Sequence, residues 1–60
     1  MRDSEIKKTG IYKGDWNPLA KTEGYTLNLV TTKEGTTYEV VTINLFGESL
    51  IIEVNGEKVW

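Results

Sequence analysis

The sequence predicts an all-β protein: a small antiparallel meander of four to five strands, with one short helical turn near residues 18–23. Three observations carry this expectation. Residues 25–60 alternate apolar and polar side chains in short runs, the pattern of half-buried strands. Eight Thr, five Val and five Ile favour extended backbone, because β-branched side chains pack well on a pleated surface. Three glycine-bearing turns separate the runs at spacings that suit hairpins.

Residues 1–5 are polar and are expected to fray. Residues 6–13 form a weak strand candidate, interrupted by Gly10. Gly14-Asp15-Trp16-Asn17-Pro18 reads as a loop, since the residue before proline is pushed out of the helical region. Asn17 then caps the expected helical turn, with Pro18 at its first position and Gly24 as its stop.

Beyond Tyr25 the turns set the register. Lys33-Glu34-Gly35 suits a three-residue hairpin loop, placing Leu27 opposite Val41, Tyr25 opposite Ile43 and Thr26 opposite Thr42. Gly47-Glu48 suits a type II′ turn, which would pair Leu45 with Leu50, Ile43 with Ile52 and Val41 with Val54. Asn55-Gly56 suits type I′, where both central residues need positive φ; it pairs Glu53 with Lys58 and Ile52 with Val59.

This register yields two faces. The expected core face carries Tyr25, Leu27, Leu29, Val41, Ile43, Leu45, Leu50, Ile52, Val54 and Val59, covered by Ile6, Ile11, Tyr12, Trp16 and Leu19 of the N-terminal segment. The second face carries Val30, Tyr38, Val40, Phe46, Ile51 and Trp60 among polar residues. A segment that covers one face cannot cover the other, so these six, with Trp16 as a loop anchor, are the expected interface residues.

Sixty residues make a single domain, 1–60, which buries only about 60% of its unfolded surface. Such a core rarely supplies more than about 3–5 kcal/mol without a disulfide, metal or partner. With no Cys and no His, thiol chemistry and zinc–imidazole sites are excluded, which leaves oligomerisation, a homodimer first of all. Seven basic against nine acidic residues give a net charge of −2, without the basic stripe of a nucleic-acid reader. No apolar run approaches the roughly 20 residues of a membrane helix, and the first residues are no signal peptide. The expected location is cytoplasmic.

No catalytic residue, metal site or cofactor is expected. The serines, Ser4 and Ser49, have no His or Cys beside which to form a nucleophilic site. Glu53 and Glu57 fall on opposite faces of the last hairpin, and Glu53 faces Lys58 as an ordinary ion pair. Asp15 and Asn17 offer two oxygen side chains, too few for calcium. The sequence therefore points to a non-enzymatic, acidic protein-interaction module that self-associates. At this size, a phage or mobile-element inhibitor occluding a host defence protein is the leading expectation. The alternatives are nucleic-acid or carbohydrate binding through Tyr38, Phe46 and Trp60 as an aromatic face, and a designed or structural β miniprotein.

Overall fold

A computed structural model of the chain describes residues 2–59. Within them a helix, α1 (Asp3–Thr9), and a 3-10 turn (Ile11–Lys13) lead into a sheet of five antiparallel strands. The strands are β1 (Asp15–Thr22), β2 (Tyr25–Thr31), β3 (Thr37–Leu45), β4 (Glu48–Val54) and β5 (Glu57–Lys58). Each pairs with its sequence neighbour, so the sheet is a meander in chain order. No helix among the described residues is long and apolar enough to cross a membrane.

The β2–β3 hairpin has the expected register, with Leu27 opposite Val41, Tyr25 opposite Ile43 and Thr26 opposite Thr42. Its loop closes as expected for three residues: the Gly35 N–H donates to the Thr32 carbonyl at 2.9 Å and the Thr32 N–H to that of Thr36 at 2.8 Å. The last hairpin also follows expectation. Asn55 and Gly56 hold φ of 52° and 79°, and Glu53 stands opposite Lys58. Asn55 is tied to β3 as well: it exchanges hydrogen bonds with the Glu39 backbone, at 2.7 Å through its N–H and 2.9 Å through its Oδ1.

The β3–β4 hairpin departs from expectation. Its turn is Phe46-Gly47, not Gly47-Glu48, and both residues have positive φ, 52° and 79°. Glycine here serves as the second central residue of a type I′ turn, the position it fills in Asn-Gly hairpins. Ile43 therefore pairs with Leu50, and Leu45 with Glu48. Between Thr42↔Ile51 and Val41↔Glu53 the register shifts by one residue, and Ile52 is the insertion. A bulge leaves the extra residue unpaired and reverses the alternation beyond it. Val54 consequently stands opposite Val40 rather than Val41.

The N-terminal third is also rearranged. The weak strand at 6–13 is α1 and the 3-10 turn, and the expected loop and helical turn at 14–23 are strand β1 with its turn. Asp3 and Glu5 lie in the first turn of α1 and Lys7 and Lys8 in the last, signs that complement the helix dipole. Gly10 ends the helix in the left-handed region, its N–H donating to the Lys7 carbonyl. The Thr9 hydroxyl donates to the Ile6 carbonyl and accepts the Ile11 N–H at 3.2 Å, joining helix to turn. Residues 3–5, within the segment expected to fray, form the first part of this helix. Pro18 is admitted to β1 because this is an edge strand and because a bulge at Leu19 follows directly.

The consequence for packing is an exchange of faces. Ile6 and Ile11 seat on Val30, Val40 and Val54, and these five form the buried apolar core among the described residues. Tyr38, Ile51 and Val59 pack around them. The lead-in approaches very closely: a Cβ on Gly14 would lie 2.7 Å from the Thr31 carbonyl oxygen and 3.0 Å from Val30 Cγ1. Helix α1 therefore covers the face on which exposure was expected and leaves the expected core face open.

Candidate protein-interaction face

The open face is defined by the strand pairings. One row runs Ala20, Leu27, Val41, Glu53, Lys58; the next runs Thr22, Tyr25, Ile43, Leu50. Leu29 opposite Glu39, and Leu45 opposite Glu48, extend it at either end. Seven apolar side chains thus share a surface: Tyr25, Leu27, Leu29, Val41, Ile43, Leu45 and Leu50. Tyr25 and Leu45 are exposed, and the other five are half-buried, shielded by one another and by no covering element among the described residues.

Around this apolar centre stands a polar margin. Asp15, Asn17 and Glu39 border it at the Leu29 end, Glu48 lies beyond Leu50, and Glu53 with Lys58 closes the β5 side. An apolar centre framed by polar residues is the layout of a protein–protein interface. Contiguous apolar patches of several hundred Å² on small soluble proteins commonly mark such sites.

The residues expected at the interface separate. Val30 and Val40 have no exposed surface, because α1 sits on them, and belong to the chain's own core. Tyr38 and Ile51 are half-buried against that core. Phe46 is 97% exposed at the tip of the β3–β4 turn. Trp16 is partly exposed beside the 3-10 turn, its indole N–H donating to the Ile11 carbonyl at 3.0 Å. Trp60 lies outside the described residues. Tyr38, near the start of β3, and Phe46, just past its end, stand at opposite ends of that strand. The seven apolar residues of the open face share one face as expected, but they were expected in the interior.

The polar groups near α1 form a small network on the far side of the sheet. The Tyr12 hydroxyl donates to Asp3 Oδ1 at 2.8 Å, and Lys7 Nζ lies 3.5 Å from Asp3 Oδ2. The Tyr12 hydrogen bond, with the Lys7 charge, holds the Asp3 carboxyl below its ordinary value despite some desolvation. Partial burial, then the bond to Asp3, pushes the Tyr12 phenol up. Among the described residues no group of three acidic or other ligating side chains is placed to hold a metal.

No known family model, no curated protein and no solved structure matches this chain. The class it defines rests on its own geometry: a five-stranded meander with a helix on one face and an apolar surface on the other.

Proposed function

We propose that this chain is a non-enzymatic protein-interaction module that pairs with a second copy of itself, open face to open face. The supporting observation is the uncovered row of Tyr25, Leu27, Val41, Ile43 and Leu50, opposite a sheet face already closed by α1. A sheet must bury its apolar face against another layer. Two such sheets stack about 10 Å apart and interdigitate their side chains as in a sandwich. The core formed by the described residues, five fully buried apolar side chains, is small for a stable domain.

The energetics favour a reversible dimer. A half-buried Leu or Ile contributes on the order of 1 kcal/mol when its remaining surface is buried. At that scale the seven apolar side chains of each copy, five half-buried and two exposed, set about 14 kcal/mol against an association cost of roughly 4–15 kcal/mol. Concentration then decides the state. A foreign protein with an apolar strip would compete for the same face, the route by which the module would occlude a host protein.

Sedimentation equilibrium over a wide concentration range tests the reading. The wild type should pass from monomer towards dimer, while Leu27→Lys with Leu50→Lys should remain monomeric with an unchanged circular dichroism spectrum. A wild type that stays monomeric at its solubility limit would overturn it.

A further inference from the structure

On the helix side of the sheet, beside the buried core, lies a cleft of about 310 Å³. Tyr12 and Trp16 stand on one side, Thr26, Asn28 and Thr42 line the sheet, and Ser49 and Ile51 lie on the neighbouring strand β4. The cleft owes nothing to the open face, and no feature of the self-pairing proposed above uses it. Its size is at the small end of the range for sites that hold compact ligands.

Two properties distinguish it from an accidental groove. The first is rigidity: both aromatic rings are held by their polar ends. Trp16 is fixed by the bond from its indole N–H to the Ile11 carbonyl, and Tyr12 by the bond from its hydroxyl to Asp3. Their flat surfaces are therefore oriented before any ligand arrives, which reduces the ordering cost of binding.

The second is an open acceptor on a buried residue. Asn28 is only 5% exposed, and its amide nitrogen donates to the Thr26 carbonyl, the Val40 carbonyl and Thr42 Oγ1 at 3.2–3.3 Å. Its Oδ1 takes no hydrogen bond among the described residues. Because no fully buried side-chain oxygen or nitrogen there lacks a partner, this oxygen reaches the surface, and the surface Asn28 lines is the cleft. The amide is held with its donor side satisfied and its acceptor side available.

The lining selects a chemistry. It contains no charged side chain, so it has no ion-pair partner for a phosphate, a carboxylate or an ammonium group. Three hydroxyls, which each donate or accept by rotation, stand with one fixed carbonyl acceptor. Aromatic rings beside such groups suit a ligand with a C–H face and a ring of hydroxyls. A purely apolar ligand would strand the hydroxyls and the Asn28 oxygen, and desolvated polar groups left without partners oppose binding. The geometry points to a binding site for a neutral sugar residue, stacked on Trp16 and Tyr12 and donating a hydroxyl to Asn28 Oδ1.

The test is a titration of the isotopically labelled full chain with methyl glycosides of glucose, galactose, mannose and N-acetylglucosamine, followed by NMR. Adenosine serves as the planar neutral comparison. At least one glycoside should shift the Trp16 indole N–H and the Asn28 side-chain amide, with affinity in the millimolar range typical of about −4 kcal/mol. Ser49→Ala, at an exposed position, should weaken that binding several-fold, and Tyr12→Ala about ten-fold, with the spectrum otherwise native. The monomeric Leu27→Lys, Leu50→Lys variant should bind as the wild type does, so this result is read independently of self-association. Saturating glycosides that leave the Trp16 and Asn28 signals unmoved, or adenosine alone moving them, would overturn the assignment.

Discussion

Val54 stands opposite Val40, and both are wholly buried beneath Ile6 and Ile11. The pairing exists because Ile52 is inserted in β4, which turns Val54 from the open face to the covered one. Truncation at either position should therefore leave a cavity under α1. Val40→Ala and Val54→Ala are each expected to cost about 2 kcal/mol, at the lower end for core truncations. Because the two touch one cavity, the double variant should fall short of additivity. Leu45→Ala, on the open face, should change the stability of a dilute sample by less than about 0.5 kcal/mol. Urea denaturation of the four variants and the wild type measures all of this, and a Val54→Ala cost no larger than that of Leu45→Ala would contradict the bulge.

Phe46 occupies the left-handed region with its ring in water, a position that Asn or Gly fills at far lower strain. Phe46→Asn should raise stability by about 0.5–1 kcal/mol by converting the turn to Asn-Gly. Gly47→Val should lower it, since a β-branched residue at φ near 79° is strongly disfavoured. Thermal melts of both variants decide the matter; a Phe46→Asn protein less stable than wild type would mean that the Phe46 ring has an unrecognised contact.

The Asp3–Tyr12 bond links α1 to the turn that follows it, and both groups report on pH. Asp3 releases its proton more readily in the folded chain, so its contribution is present above the ordinary carboxylate range and is lost as pH falls through its lowered value. Tyr12 holds its proton more tightly when folded, so its contribution is present below about pH 10 and is lost as pH rises through its raised value. Tyr12→Phe should flatten the melting temperature at both extremes, and Asp3→Asn should abolish the acid-side decline attributable to this pair. An unchanged pH profile in Tyr12→Phe would show that the bond does not hold the helix in solution.

Much of this fold is legible in the sequence, and the parts that are not have physical causes. Asn55-Gly56 and Lys33-Glu34-Gly35 announce their turns because positive φ restricts residue choice so sharply. Phe46-Gly47 is hidden, since Phe is an improbable first residue for type I′ and Gly47 equally suits type II′. Strand β1 is hidden because it is exposed along its whole length, and Asp-Trp-Asn-Pro-Leu-Ala-Lys-Thr has no apolar alternation to reveal it. Pairing with β2 makes it a strand, not burial. The open face was visible as a continuous apolar row, but period-two alternation says only which residues share a face. Which face α1 covers depends on two residues, Ile6 and Ile11, and on Gly14 permitting the lead-in to lie against Thr31.

Charge at the margin of the open face gives the self-pairing a distinctive salt response. Asp15, Glu39, Glu48 and Glu53 border the apolar centre, with Lys58 as the basic residue among them. Two copies stacked face to face bring these carboxylate-rich margins together. Their mutual repulsion is long-ranged at low ionic strength and is screened once the Debye length shortens to about 10 Å at 0.1 M salt. The apolar contact, in contrast, is not weakened by salt. Dimerisation should therefore tighten several-fold as sodium chloride is raised, the reverse of an interface held by ion pairs. Glu48→Gln, beside Leu45 and away from the buried core, should produce the same tightening at low salt and reduce the further effect of adding it. Sedimentation equilibrium of wild type and variant at low and high salt provides the comparison. A dimer that weakens as salt rises would place the contact elsewhere than on the open face.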